Sequence, residues 1–131
     1  MANKRLSALL IVNDYPTYRG MSDVIRHFGL KAQWAQSWEG AQGLLETEPF
    51  DIVMLDEDLL NSRPKCCLEW LRDHRRQSQL IVMSDMPNLR TWVDYLNEGV
   101  VDLISKTATP CEIKHALDLA MYPSDSLQAV Q

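Results

Sequence analysis

Three short, unbroken apolar runs, at residues 8–12, 52–55 and 80–83, constrain this chain more than any other feature. Each is four or five residues long, is built from Ile, Val, Leu, Ala and Met, and ends in a polar or acidic cluster. Continuous apolarity over so short a length suits a parallel strand buried on both faces, where no alternation with polar residues is needed. Two weaker strands fit at residues 32–35 and 100–104.

Between these runs the apolar period changes to that of a helix. Met21, Val24, Ile25 and Phe28 fall at i, i+3, i+4 and i+7, and Gly29 follows as a helix stop. Ala41, Leu44 and Leu45 mark a second helix behind Ser37 as its N-cap, and Leu68 and Leu71 mark a third. Leu89, Trp92, Val93 and Leu96 form a fourth stripe, closed by Gly99 and expected to face the core with Trp92 in it. Thr109-Pro110-Cys111-Glu112 opens the fifth with a capping box and a proline at the first helical position. Ile113, Ala116, Leu117, Ala120 and Met121 are its apolar face.

Strand and helix alternate five times, which predicts an α/β fold: a doubly wound, five-stranded parallel sheet of the flavodoxin-like (βα)5 type, with helices on both faces. In such sheets ligands bind outside the carboxyl ends of the strands, where the strand order reverses.

Length and charge bound the function classes. The chain has 131 residues, which predicts one domain over residues 1–121 and a polar tail, or the start of a linker, over residues 122–131. Its 18 acidic and 13 basic residues give a net charge of -5, so this segment is not expected to bind nucleic acid directly. No run reaches the roughly 18 apolar residues of a membrane span, and the start does not read as a signal peptide. Cys66, Cys67 and Cys111 lack metal-ligand spacing and read as buried or half-buried thiols of a cytoplasmic protein. The basic run Arg72, His74, Arg75 and Arg76 reads as a solvated face, and His27, His74 and His115 have no partner spacing. Trp38 and Trp70 leave open a role as exposed anchors for a partner, beside the plainer reading that they have none. The first strand-to-helix turn, NDYPTYRG, has no phosphate-cradling glycine pattern, which argues against a nucleotide-binding enzyme.

The strand ends carry the chemistry. Asn13-Asp14 follows the first strand, Asp56-Glu57-Asp58 the third, Ser84-Asp85 the fourth, and Ser105-Lys106 the fifth. Carboxylates, a hydroxyl and an ammonium thus converge on one edge. Crowded carboxylates favour a neutralising cation, and oxygen donors of this kind suit Mg2+, which takes one or two carboxylates and keeps several waters. A lysine beside a carboxylate and a hydroxyl makes an anion clamp.

In this order and spacing, with a hydroxyl 28 positions and a lysine 50 positions past Asp56, the chain resembles the response-regulator receiver domain of two-component signalling over about residues 6–121. The resemblance implies that Asp56 accepts a phosphoryl group from a histidine kinase or phosphotransfer protein. It implies that Asp14, Asp56 and the backbone carbonyl of Asp58 hold Mg2+, and that Ser84 and Lys106 bind the phosphoryl group. Such a phosphoprotein is no enzyme beyond catalysing its own phosphorylation and dephosphorylation. It signals in the cytoplasm through altered protein contacts, among them a homodimer through the fourth and fifth helices.

Four positions depart from the family pattern. Asn13 replaces an acid, Leu103 an aromatic switch residue, and Thr107 a proline. Asp85 stands where a very small residue is usual, and it is expected to repel an incoming phosphoryl group, to capture Lys106, or to cap the fourth helix. These departures leave an alternative open: an atypical or pseudo-receiver that acts as a phosphorylation-independent interaction or dimerisation module.

Overall fold

The computed structural model describes residues 6–60, 64–74, 78–85 and 88–121. Its strands are β1 (Ser7–Ile11), β2 (Lys31–Ala35), β3 (Ile52–Asp56), β4 (Gln79–Ser84) and β5 (Val100–Ser105). They pair in parallel in the order β2-β1-β3-β4-β5. The helices are α1 (Tyr15–His27), α2 (Trp38–Thr47), α3 (Pro64–His74), α4 (Leu89–Asn97) and α5 (Pro110–Met121), and a 3-10 turn, Glu57–Leu60, leaves β3. This is the doubly wound sheet expected from the alternation. The order reverses between β1 and β3, and β3 is buried along its whole length.

Period-2 alternation sorts the strand residues between two cores. Leu9, Ile11, Val53, Leu55, Leu80 and Val82 pack with Leu45, Leu68 and Leu71 on the side of α2 and α3. Ala8, Leu10, Ile52, Met54, Ile81 and Met83 pack with Met21, Ile25, Ile113 and Leu117 on the side of α1 and α5. The punctuation residues act as their chemistry suggests. Ser37 caps α2 by accepting from the Gly40 amide at 3.1 Å. Glu112 accepts from the Thr109 amide at 2.9 Å, and Thr109 Oγ1 accepts from the Glu112 amide at 3.2 Å, closing the capping box of α5. Gly29 and Gly99 leave α1 and α4 at φ of 91° and 93°, a region costly for residues with a Cβ.

Three expectations are corrected. The stripe Leu89, Trp92, Val93 and Leu96 faces outward, all four residues being exposed, and the buried residue of α4 is Tyr95. Helical spacing reveals that a stripe exists but not which side it takes. Here the hydroxyl of Tyr95 meets a carboxylate beneath the helix, and that polar contact sets the rotation. Trp38 and Trp70 are not exposed anchors: they are half-buried against the α2–α3 core and meet edge to face, ring centroids 5.7 Å apart. His74 stacks on Trp70 at 4.4 Å, while His27 and His115 are exposed. Of the three free thiols only Cys67 is buried, since Cys66 and Cys111 lie on outward faces of α3 and α5. Arg72 meets Glu98 at 3.6 Å, whereas Arg75 and Arg76, like the tail over residues 122–131, lie outside the described residues.

Candidate functional site

Asp14 caps α1. Its extended backbone turns the chain out of β1, and its carboxylate accepts from the Thr17 amide at 2.9 Å. These hydrogen bonds, with the charge of Lys106 added, hold the exposed carboxyl below the usual aspartate range. Asn13 beside it is exposed.

Asp56 ends the central strand β3 and is only 2% exposed. Burying a carboxylate so deeply requires compensation. Its Oδ1 receives the Asp58 amide at 2.9 Å and the Lys106 ammonium at 2.9 Å. Both contacts fall on Oδ1. Lys106 follows β5, where its own amide donates to the carbonyl of Ser84 at 3.1 Å and ties the ends of β4 and β5 together. The ammonium also reaches Asp58 Oδ2 at 2.7 Å and Asp85 Oδ2 at 3.5 Å. Burial works against its charge, but hydrogen bonds to Asp58 and Asp56, and their negative charges, outweigh that and raise its pKa.

Ser84 ends β4 and is 3% exposed. Its hydroxyl donates to Glu57 Oε2 at 2.8 Å, and the Tyr95 hydroxyl donates to Glu57 Oε1 at 2.9 Å. Leu103, on β5, is buried in the α2–α3 core. Thr107 closes a turn with Ser105, whose Oγ accepts the Thr107 amide at 3.1 Å. Asp85 does not cap α4. That role belongs to Asn88, whose Oδ1 accepts from the Thr91 amide at 3.0 Å, and Asp85 is drawn to Lys106 instead.

A buried carboxylate at a central strand end, an ammonium on it and a cap carboxylate nearby stand in register with one known family. The response regulator receiver domain model matches residues 9–118. The chain belongs to the response regulator receiver domain family. It is 25% identical over 111 residues to the photosynthetic apparatus regulatory protein RegA of Cereibacter sphaeroides, covering 85% of this chain and 60% of that protein. The chain thus spans about three-fifths of that relative's length. A response regulator from Thermotoga maritima shares the fold with a TM-score of 0.82 at 15% identity, over 89% of this chain and 98% of that one. So does a Burkholderia pseudomallei response regulator solved with a phosphorylated aspartic acid, a calcium ion and citrate, with a TM-score of 0.76 at 18% identity, over 95% and 74% of the two chains. Among the described residues, no helix is long and apolar enough to cross a membrane.

As in receiver domains generally, the acidic pocket suits a divalent cation, and the donor chemistry of this receiver agrees. Asp56, Asp58 and Asp85 share one ammonium, and Asp14 feels its charge only through space, which leaves a local excess of negative charge. Among the described residues no three acidic, histidine or cysteine side chains converge to hold a metal unaided.

The site brings Asp56, Asp58 and Asp85 onto the Lys106 ammonium, leaves Asp14 on the cap of α1 within reach of its charge, and turns Ser84 toward Glu57. Glu57 and Tyr95 were not legible as a pair. Glu57 reads as one more acid in a strand-end cluster, and Tyr95 sits one position off the apolar stripe of α4.

Proposed function

We propose that this receiver, folded over residues 1–121, accepts a phosphoryl group on Asp56 from a histidine kinase or phosphotransfer protein of the cytoplasm. The observation that carries the reading is the buried Asp56 carboxylate with Lys106 2.9 Å from Oδ1. In the transfer, an Asp56 oxygen attacks the phosphorus of a phosphohistidine. The P–N bond breaks, and its electron pair stays on the departing imidazole. Lys106 then meets the new negative charge, and Ser84 donates to a phosphoryl oxygen once its proton leaves Glu57. Asp14, Asp56 and the carbonyl of Asp58 would hold Mg2+, which when bound offsets charge on the non-bridging oxygens. The output is a change in protein contacts, and the exposed apolar face of α4 supports a surface shared by α4 and α5, including a homodimer. The acidic charge supports no direct nucleic-acid role for this segment.

The test is intact-mass measurement after incubation with Mg2+ and a small phosphodonor, beside an Asp56→Ala control. One added phosphoryl group, absent from the control, is the expected result. No adduct with any donor, a cognate kinase included, would overturn the reading. A second reading has its own support. Asp85 draws on Lys106 and Glu57 occupies the Ser84 hydroxyl, an arrangement suited to a pseudo-receiver that binds partners without phosphorylation.

A further inference from the structure

The carboxylate of Glu57 is held between two buried hydroxyls from different elements. Ser84, at the end of β4, donates to Oε2 at 2.8 Å, and Tyr95, from the inner face of α4, donates to Oε1 at 2.9 Å. Both donors are under a tenth exposed and Glu57 is half-buried, so the contacts are partly shielded from water. Glu57 immediately follows Asp56 in the chain.

We propose that Glu57 and Tyr95 are positioning residues of the acceptor site: Glu57 holds the Ser84 hydroxyl away from Asp56, and Tyr95 ties the same carboxylate to α4. This rests on Asp56 being the phosphoryl acceptor. A serine hydroxyl has one proton to donate. While that proton lies on Glu57, it is not available to an oxygen at Asp56. A phosphoryl group on Asp56 competes for it and places a second anion next to Glu57. Both effects loosen the Ser84–Glu57 contact and shift the carboxylate that Tyr95 holds. Tyr95 is the buried residue of α4, and Leu89, Trp92, Val93 and Leu96 lie on the outer side of the same helix. A change at Glu57 therefore moves the exposed apolar face. The link takes the place of a ring at position 103, where Leu103 has no polar atom to respond. Burial, then the Glu57 hydrogen bond and charge, raise the Tyr95 pKa, so its hydroxyl stays a donor.

Two measurements test this. The first needs no phosphorylation: amide hydrogen exchange over residues 89–97 in the unmodified protein. Ser84→Ala, on another element, is expected to speed exchange in α4 about fivefold, the scale of one hydrogen bond, and Ser84→Thr to keep it near wild type. Wild-type exchange in Ser84→Ala would overturn the link between Ser84 and α4. The second is the phosphorylation rate by intact mass with Mg2+ and a small phosphodonor. Glu57→Gln is expected to raise the rate several-fold, and the gain is expected to vanish when Ser84 is also Ala. An equal gain in the Ser84→Ala background would assign the effect to charge alone and overturn the restraint on Ser84. Absence of any wild-type adduct overturns the acceptor reading and the switching role with it, while the exchange data still decide whether Ser84 is coupled to α4.

Discussion

The ammonium of Lys106 lies 2.9 Å from Oδ1 of Asp56 and 2.7 Å from Oδ2 of Asp58, bridging two carboxylates two positions apart. The two halves of the bridge are unequal. The Asp56 side chain is 3% exposed and that of Asp58 is 63% exposed, so water screens the second contact and not the first. The Lys106–Asp56 pair, with the Asp58 amide on the same oxygen, compensates a carboxylate buried at the heart of the sheet.

Lys106→Met keeps the apolar stem and removes the charge. Breaking a buried pair by deleting one partner strands the other, at a cost of about 3 kcal/mol. The expected result is a lower urea midpoint for the variant without metal, partly restored by millimolar Mg2+ as a second cation reaches the same carboxylates. A variant as stable as wild type in both conditions would mean that Asp56 does not depend on the pair.

Asp85 stands in a different position. Its side chain is 71% exposed, and its oxygen is 3.5 Å from the ammonium, a contact expected to contribute under about 1 kcal/mol. Asp85→Ala should therefore leave the unfolding midpoint nearly unchanged. Removing a negative charge beside the path of an incoming anion should still speed phosphorylation by a small phosphodonor, about threefold to tenfold. Time courses of intact mass check both the direction and the size. An unchanged rate would show that Asp85 does not obstruct the site.

These two residues also mark how far the sequence reaches. The fold was legible because β1, β3 and β4 are buried on both faces, which leaves an apolar run with no polar interruption. Strand-end residues were legible for the same reason: once the runs are placed, Asp14, Asp56, Ser84 and Lys106 must fall on one edge. Rotations and partners were not legible. The stripe of α4 points outward because Tyr95 finds Glu57 below the helix, a contact across 38 positions that no local period encodes. Ser84 turns to Glu57, 27 positions earlier, a side-chain partner that no local pattern names. The cap of α4 is Asn88 rather than Asp85 because the helix starts at Leu89, and a cap directly precedes the first helical residue.

The caps of α1 and α5 give an acid-side prediction. Asp14 and Glu112 are held below their ordinary values of 3.8 and 4.5, chiefly by the backbone hydrogen bonds they accept from Thr17 and Thr109. A carboxyl with a lowered folded pKa contributes stability that is present above its unfolded pKa and is lost as pH falls through the folded one. For Glu112 that loss starts as pH drops below 4.5. Glu112→Gln retains a side-chain acceptor but cannot titrate. The wild-type unfolding midpoint should fall more steeply than that of the variant over this range, and the two curves should converge in acid. Parallel curves would remove Glu112 from the acid response.

Tyr95 gives the matching prediction on the alkaline side. Its pKa is raised, first by burial and then by the hydrogen bond and charge of Glu57, above an ordinary value of 10.0. When the folded form keeps a proton that the unfolded chain releases, the folded state binds more protons, and stability declines with rising pH. The contribution of Tyr95 is therefore complete below pH 10.0 and is lost above it. Lys106, also raised, joins the decline above 10.5. Tyr95→Phe keeps the ring in the core and removes the hydroxyl, leaving Glu57 Oε1 without that donor. At neutral pH this should cost about 1 kcal/mol. As pH climbs past 10.0 the wild type loses stability from Tyr95 and the variant does not, so the gap between their urea midpoints should narrow. A gap that stays constant across that range would mean the Tyr95 hydroxyl ionises as readily in the fold as outside it, and the Glu57 contact would then not be the buried hydrogen bond described above.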